Sequence, residues 1–234
     1  MRGSLASGRR IGITGGMLII YDCDGTLIDS EGIACSVCAE ALSGLGVPYT
    51  TEMFAARYAG RPARETWDHV IATYGVTLPD GFNARINAEI HARLDAGVEA
   101  VEGARAAVEA LAGPRCVASS TGLTQLRKNL ATAGLIDLFG PHVFSVSQVK
   151  RGKPAPDVFL YAVSQMGFDP ADAVVIEDTV PGVTAARRAG IRAIGFTGAN
   201  HGGDGLGDRL RQAGALDVVA AMADLPGVVA SLRR

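Results

Sequence analysis

The sequence predicts an α/β protein: a Rossmann-like doubly wound parallel sheet, covered by helices on both faces, with an inserted α-helical cap domain. Two observations lead to this fold class. Short apolar runs of strand length alternate with helical segments over most of the chain, which is typical of parallel sheets buried on both faces. One stretch, residues 32–100, has helical patterns but no convincing strand, and this indicates a helical insertion.

The predicted strands are short apolar runs between turn signals. They cover residues 17–21, 116–118, 143–146, 173–176, 193–196 and, more weakly, 217–219. Helical segments lie between them, at residues 103–112, 123–133, 156–166 and 180–189. Four further helices form the insertion, at residues 33–45, 52–58, 63–74 and 82–96. The short connections between strands and helices favour a single open sheet.

The insertion determines the predicted domain organisation. Residues 17–31 and 101–234 form the α/β core domain, and residues 32–100 form the helical cap domain. Residues 1–16 are polar and rich in glycine, so we interpret them as a disordered leader. This leader is either a vector-derived extension or sequence upstream of a functional start at Met17.

Composition limits the partners and the compartment. Lys plus Arg is 22 and Asp plus Glu is 24, and the resulting net charge of −2 gives no basic footprint for nucleic acid. No apolar run approaches the length of a membrane span. The four cysteines are read as free thiols, although Cys35 and Cys38 have the spacing of a redox or zinc pair. We therefore expect a cytoplasmic protein without nucleic-acid or membrane partners, either a monomer or a weak homodimer.

Polar side chains follow four of the predicted strands, and in open α/β sheets ligands bind at the carboxyl ends of strands. These side chains are Asp22 and Asp24, the hydroxyl run Ser119, Ser120 and Thr121, then Lys153, and Glu177 and Asp178. Clustered carboxylates repel one another unless a cation lies among them, and hard oxygen ligands suit Mg²⁺. A lysine and hydroxyl groups neutralise and orient phosphoryl oxygens. The pattern therefore predicts a magnesium site that binds a phosphorylated molecule.

The same set of side chains is suited to phosphoryl transfer. Once the negative charge of a phosphate is offset, a carboxylate can attack phosphorus and form an aspartyl-phosphate. A second carboxyl group must protonate the leaving oxygen and later deprotonate the attacking water. Asp22 and Asp24, separated by one residue, can supply these two roles. The sequence thus predicts a Mg²⁺-dependent phosphohydrolase.

These motifs resemble the four ordered motifs of the haloacid dehalogenase (HAD) superfamily, in its branch with a helical type 1 cap. The matching residues are Asp22-Cys-Asp24-Gly-Thr-Leu, Ser119, Lys153 in Gly-Lys-Pro-Ala-Pro-Asp, and Glu177-Asp178. The resemblance covers the chain from residue 17 onward. It implies that Asp22 is the nucleophile and a metal ligand, and that Asp24 is the general acid/base and also a metal ligand. It further implies that Lys153 stabilises the phosphoryl group and the nucleophile.

The remaining motif residues have implied binding roles. Ser119 matches the phosphate-binding hydroxyl, and we group Ser120 and Gly25 with it. An alternative for Ser119 is to cap the helix that begins near residue 123. Asp178 matches the acid that holds the metal, and Glu177 either binds the ion directly or supports a ligand.

The substrate class is narrowed by the resemblance but not fixed. Asp24 disfavours dehalogenation, because a halide leaves without protonation. The chain is most similar to phosphatases of sugar phosphates, 6-phosphogluconate and phosphoglycolate. The alternative is a β-phosphoglucomutase-like sugar phosphomutase, although Ala34 stands where the mutase has an assisting histidine. A third hypothesis is a phosphate-binding regulatory module without activity.

The cap must supply specificity for the organic part of the substrate, because the core motifs contact only phosphate. Arg61 and Arg64 lie near the predicted specificity loop of the cap. Guanidinium groups there suit an acidic or polyhydroxylated substrate, so both arginines are candidate substrate contacts. They are equally compatible with ordinary charges on a helix surface.

Overall fold

The computed structural model of the protein describes residues 16–59, 61, 63–199 and 205–232. The predicted leader therefore lies outside the described residues, apart from Gly16. The strands are β1 (Leu18–Tyr21), β2 (Arg115–Ser119), β3 (Val143–Ser145), β4 (Ala173–Glu177), β5 (Arg192–Phe196) and β6 (Asp217–Val219). They form one sheet in the order β3-β2-β1-β4-β5-β6, and every neighbouring pair is parallel.

Strand β1 lies inside the sheet and all four of its residues are buried. Its last residue, Tyr21, is in register with Val117 of β2 on one side and Ile176 of β4 on the other. The chain moves outward from β1 to β3 and then returns to add β4, so the strand order reverses beside β1. Such a reversal opens a crevice at the carboxyl ends of the strands, where ligands bind in open α/β sheets.

Ten α-helices complete the described structure. They are α1 (Glu31–Gly44), α2 (Thr51–Tyr58), α3 (Ala63–Tyr74), α4 (Phe82–Ala96), α5 (Ala104–Ala110), α6 (Leu123–Thr132), α7 (Asp157–Met166), α8 (Val180–Arg188), α9 (Leu206–Ala213) and α10 (Leu225–Ser231). Helices α5, α6 and α10 pack on the sheet face that carries Ile19. Helices α7, α8 and α9 pack on the face that carries Leu18. The predicted doubly wound α/β fold is confirmed, because both faces of the parallel sheet are covered.

Most predicted elements agree with the structure to within two residues at each end. Helices α3 and α4 have the predicted bounds. The sequence predicts neither α9 nor α10. Helix α9 has only eight residues, half of them charged or polar, and buries only Leu210. Helix α10 has Pro226 in its first turn, where proline is tolerated, and contains Gly227, a poor helix former; it forms where Leu225 and Val229 pack against the core.

The helices of the insertion have an apolar core of their own. Trp67 of α3 packs edge-on against Phe82 of α4, with 5.0 Å between ring centroids. The two chain segments that lead into and out of the insertion are hydrogen-bonded to each other. The Asp29 N–H donates to the Glu99 carbonyl at 3.0 Å, and α1 begins two residues later. This pairing is compatible with the predicted domain boundaries near residues 31 and 100, which stay a prediction.

Two further expectations concern membranes and cysteines. Among the described residues, no helix is long and apolar enough to cross a membrane.

Cys35 and Cys38 are free thiols on α1. Burial raises the pKa of Cys35 to about 12 and that of Cys38 to about 11. High pKa values disfavour the thiolate that zinc binding and disulfide exchange both require, so the redox or zinc interpretation loses support.

Candidate active site

Asp22 lies directly after β1 at the strand-order reversal. Its N–H donates to the Ile176 carbonyl of β4 at 2.9 Å, which fixes the backbone there. Asp22 is buried, and its Oδ1 accepts a hydrogen bond from the Lys153 Nζ. The same ammonium group donates to Glu177 Oε2 at 2.8 Å. The chain therefore brings together three ionisable side chains that are far apart in sequence.

Lys153 is buried and stays charged. Its Nζ lies 4.9 Å from the centre of the Phe159 ring, so the ammonium contacts an aromatic face as well as two carboxylates. Burial by itself lowers the pKa of Lys153, but the carboxylates of Asp22 and Glu177 more than offset it and leave the pKa above its ordinary value. Losing one partner of such a buried ion pair is costly, because the other charge is left uncompensated.

Asp22, Glu177 and Asp178 form a carboxylate cluster whose ligand oxygens lie within 4.8 Å of one another. Burial, followed by repulsion from Glu177, raises the pKa of Asp22 to about 8. Burial and repulsion from Glu177 and Asp22 also raise the pKa of Asp178 well above its ordinary range. Thr26 Oγ1 donates to Asp178 Oδ1 at 3.1 Å and helps to orient it. This cluster fits a hard divalent cation such as Mg²⁺, which would offset the buried negative charge.

Asp24 is held by hydroxyl groups that follow β2. Its Oδ2 accepts from Thr121 Oγ1 at 2.6 Å and from Ser119 Oγ at 3.4 Å. Ser119 Oγ in turn accepts from the Thr121 N–H at 3.0 Å. Thr121 belongs to the run of hydroxyls that follows β2 in the sequence, but the sequence assigns it no role, and its contact with Asp24 is visible only in the structure. Helix α6 has Gly122 at its N-cap with no side-chain cap bond, so Ser119 does not cap it.

The loop after β1 is shaped by Gly25. Its φ of +76° lies in the left-handed region that favours glycine. Its N–H donates to the Ile28 carbonyl at 2.9 Å, and the Asp178 carboxylate packs against its Cα. Gly25 therefore allows two acidic motifs from different strands to approach each other. Its assignment to phosphate binding stays a prediction.

A cavity of about 520 Å³ lies between the core and the insertion. The core side is lined by the candidate site residues Asp24, Ser120, Thr121 and Lys153, among others. The cap side is lined by residues of α1 and α4 and by Arg61. Arg64 does not line this cavity: its side chain is 93% exposed and lies 3.8 Å from Asp68 on the same helix. Of the two cap arginines predicted as substrate contacts, only Arg61 lies at the cavity.

Comparison with known proteins places the chain in a family. Residues 17–190 match the family model described as haloacid dehalogenase-like hydrolase. The chain therefore belongs to the haloacid dehalogenase-like hydrolases, as its motifs predict.

Curated relatives agree on the reaction class. A 6-phosphogluconate phosphatase of Escherichia coli (strain K12) is 28% identical over 78% of this chain and 83% of its own length. A fructose-1-phosphate phosphatase of the same organism is 32% identical over 75% of this chain and 94% of its own length. These matches confirm the prediction that the chain is an enzyme of the phosphoric monoester hydrolase class.

Solved structures support the fold over nearly the whole chain. A conserved haloacid dehalogenase-like protein from Agrobacterium tumefaciens strain C58 is 37% identical, with a TM-score of 0.88 over 94% of this chain and 100% of that chain. A HAD family hydrolase from Deinococcus radiodurans R1 with bound phosphate and sodium is 29% identical, with a TM-score of 0.81 over 93% and 96%. A putative β-phosphoglucomutase from Thermotoga maritima is 26% identical, with a TM-score of 0.71 over 92% and 99%.

Proposed function

We propose that the protein is a Mg²⁺-dependent phosphatase that hydrolyses a small sugar phosphate or sugar-acid phosphate through an aspartyl-phosphate on Asp22. One observation carries the proposal: a buried Asp22 paired with Lys153 lies beside a second carboxylate, Asp24, that lines an open cavity. The two carboxyl groups differ in surroundings, as required for a nucleophile and a general acid/base to have different roles.

The first chemical step transfers the phosphoryl group to the protein. A carboxylate oxygen of Asp22 forms a bond to phosphorus while the bond from phosphorus to the leaving oxygen breaks. Asp24, held by the Thr121 hydroxyl at 2.6 Å, donates its proton to that oxygen and releases the alcohol. Lys153 orients Asp22 and offsets charge on the phosphoryl oxygens.

The second step returns the enzyme to its starting state. Asp24 is then ionised and accepts a proton from a water molecule in the cavity. The resulting hydroxide oxygen forms a bond to phosphorus, and the bond from phosphorus to Asp22 breaks. Inorganic phosphate leaves, and Asp24 is protonated again for the next cycle.

The residues that would hold Mg²⁺ are Asp22 and Asp178, with Asp24 and Glu177 as further candidates. Their oxygens are the hard ligands this ion prefers. When bound, Mg²⁺ supplies positive charge that offsets the clustered carboxylates and the substrate phosphate. Glu177 already holds Lys153 at 2.8 Å and accepts from Thr179 Oγ1 at 2.6 Å, so we assign it mainly to positioning.

The substrate class is supported by the relatives and by the cavity. The curated relatives act on 6-phosphogluconate and fructose 1-phosphate according to their names. The cavity beyond Asp24 is lined by polar groups that include Arg61 and His91, and its volume of about 520 Å³ accommodates a small phosphorylated metabolite. The four free cysteines support the further proposal of a cytoplasmic enzyme. A monomer or a weak homodimer stays a prediction.

Phosphate release with Mg²⁺ from 6-phosphogluconate and fructose 1-phosphate tests the proposal. Asp22→Asn removes the nucleophile but preserves shape, and we expect the rate to fall by roughly a thousandfold or more. Asp172→Asn, an exposed site far from the cavity, is the matched control and keeps the wild-type rate. Full activity of the Asp22→Asn protein contradicts the mechanism.

The mutase alternative is tested with β-glucose 1-phosphate and a catalytic amount of the 1,6-bisphosphate. Ala34 lines the cavity at the position where the family resemblance would put the histidine of a mutase. We expect inorganic phosphate as the product. Formation of glucose 6-phosphate without phosphate release would instead identify a mutase.

A further inference from the structure

Two amide side chains of the core helix α6 line the cavity on the side away from the carboxylate cluster. Gln125 and Asn129 are one helical turn apart, and both line the cavity. Gln125 Nε2 donates to Asn129 Oδ1 at 2.8 Å and to Asp95 Oδ1 at 2.8 Å. Asp95 lies on α4 in the cap, so this small network connects the two sides of the cavity.

The network leaves one buried donor without a partner. Asn129 Oδ1 accepts from Gln125, and the Asn129 side chain is therefore oriented with its amide nitrogen on the other side. Asn129 is 1% exposed, and within the described part of the chain its Nδ2 has no hydrogen-bond partner. Buried polar groups are nearly always hydrogen-bonded, because an unpaired donor retains its full desolvation penalty. Because Asn129 lines the cavity, a small rotation of its side chain would bring this closed-off donor to a ligand there, and we infer that a ligand completes it.

We propose that the Asn129 and Gln125 amide pair binds a hydroxyl group on the leaving group of the substrate. The inference rests on the proposed function and specifies which residues recognise the sugar part. Asn129 Nδ2 offers a donor, and Gln125 Oε1 offers an acceptor that makes no hydrogen bond in the part of the chain that the structure describes. A hydroxyl group both accepts and donates, so it matches this pair, and neutral amides suit an uncharged polyol.

The position of the pair agrees with this role. Helix α6 begins two residues after Thr121, which holds Asp24. Phosphate chemistry therefore takes place near the start of α6, and the amides lie further along the same wall. A leaving group that extends from Asp24 along α6 reaches Gln125 first and then Asn129.

Asp95 makes recognition depend on the position of the cap. It accepts from Gln125 Nε2 at 2.8 Å and from Lys128 Nζ at 3.3 Å, both on α6. Gln125 is thereby held in the orientation in which it can donate to Asn129. Asp95 is a positioning residue in this proposal, because it acts through Gln125.

Substrate selectivity tests the proposal. We compare kcat/KM for fructose 1-phosphate and 6-phosphogluconate with kcat/KM for phenyl phosphate, whose leaving group has no further hydroxyl. Asn129→Leu removes the donor at similar volume, and we expect the ratio for the better sugar substrate to fall about 10-fold or more, mainly through KM. Gln165→Leu, on the exposed face of α7, is the matched control. Equal changes for sugar and phenyl esters would overturn the proposal.

Thermal stability and substitutions of Asp95 distinguish a role in substrate recognition from a role in folding. Asn129→Leu removes the unpaired donor and also the acceptor of the hydrogen bond from Gln125, whose Nε2 keeps Asp95 as a partner. We therefore expect the thermal midpoint to change little, whereas a mainly structural role of Asn129 would lower it. Asp95→Asn keeps an acceptor for Gln125 and should retain selectivity, while Asp95→Leu should lose it. Retained selectivity in Asp95→Leu would exclude the positioning role.

Ligand binding to an inactive variant tests the inference without requiring turnover. Calorimetry with Mg²⁺ on the Asp22→Asn protein compares fructose 1-phosphate with inorganic phosphate. In this background, we expect Asn129→Leu to weaken binding of the sugar phosphate about 10-fold more than binding of inorganic phosphate. If wild-type protein fails to hydrolyse every ester but this difference persists, the proposed function fails and the inference stands. Equal weakening of binding for both ligands would overturn the inference but not the proposed function.

Discussion

Gly182 and Glu177 pack so closely that a Cβ atom at position 182 would lie 1.9 Å from the carboxyl carbon of Glu177. The contact is reinforced by Thr179, whose Oγ1 donates to Glu177 Oε1 at 2.6 Å and accepts from the Gly182 N–H at 3.1 Å. The first turn of α8 thus rests directly on the side chain that holds Lys153. A glycine within a helix is needed here for space rather than for backbone freedom.

Gly182→Ala should therefore impair both stability and activity. In an open helical site, Ala is more favourable than Gly by about 1 kcal/mol. At position 182 the methyl group displaces Glu177, and we expect a net destabilisation of about 1–3 kcal/mol by overpacking. Gly227→Ala in α10, with no atom within 4 Å of the added Cβ, is the control and should not destabilise the protein. Denaturant unfolding and phosphatase assays measure both effects.

Gly25→Ala should uncouple the carboxylate cluster. An added Cβ would lie 2.2 Å from Asp178 Oδ2, and the φ of +76° adds backbone strain of about 1–2 kcal/mol. Gly46 has a similar φ of +81° but no atom within 4 Å of an added Cβ. Gly46→Ala therefore carries the backbone strain without the clash.

The two alanine variants should differ in their response to Mg²⁺. We expect the thermal midpoint of Gly46→Ala to rise on Mg²⁺ addition as in the wild type, because its carboxylate cluster is intact. Gly25→Ala should show a much smaller rise and little activity. An equal Mg²⁺ response in the two variants would show that the contact between Gly25 and Asp178 has no role in metal binding.

The core of the site was predictable because its residues follow buried strands. Parallel strands end at one edge of the sheet, so a motif after each strand reaches the same place whatever the length of chain between them. Asp22 and Lys153 are 131 residues apart, yet the structure joins them in one ion pair. Local sequence pattern was sufficient here because the sheet supplies the long-range geometry.

Residues outside these motifs could not be located in the same way. Whether Arg61 or Arg64 lines the cavity depends on how the cap packs, which helical periodicity within the cap does not reveal. The amide pair on α6 is visible as Gln125 and Asn129 at i and i+4, but many exposed helices share that spacing. Its significance comes from Asp95 of the cap and from burial, and both are tertiary properties.

Thr121 is the site residue for which a conservative substitution is most informative. Its hydroxyl donates to Asp24 Oδ2 at 2.6 Å, and this hydrogen bond contributes about 0.5–1.5 kcal/mol while Asp24 is protonated and about 1.5–3 kcal/mol once Asp24 is ionised in the second step. Thr121→Val removes the hydroxyl at nearly constant volume, and we expect kcat to fall about 10-fold or more. Thr121→Ser retains the donor and should recover most of the rate. If both variants lose the same activity, the methyl group rather than the hydrogen bond is responsible.

The stability of the metal-free protein should decrease as the pH rises from about 4 to about 8. Burial and the negative charge of Glu177 raise the pKa of Asp22 from 3.8 to about 8. In this range the unfolded chain has lost the Asp22 proton and the folded protein still binds it. Stability falls with pH wherever the folded state binds more protons, so the sign of the dependence is negative. Chemical denaturation in the presence of EDTA at several pH values measures it.

Asp22→Asn isolates this contribution, because asparagine does not titrate. In EDTA, the unfolding free energy of the wild type should fall relative to that of Asp22→Asn as the pH rises. Mg²⁺ should reverse the shift, since the cation favours the ionised carboxylate and its binding releases the proton. Stabilisation by Mg²⁺ is therefore expected to increase from pH 5 to pH 8 in the wild type and to change much less in the variant. Parallel pH curves for the two proteins in EDTA would mean that Asp22 is already ionised without the metal, with Lys153 alone offsetting its charge.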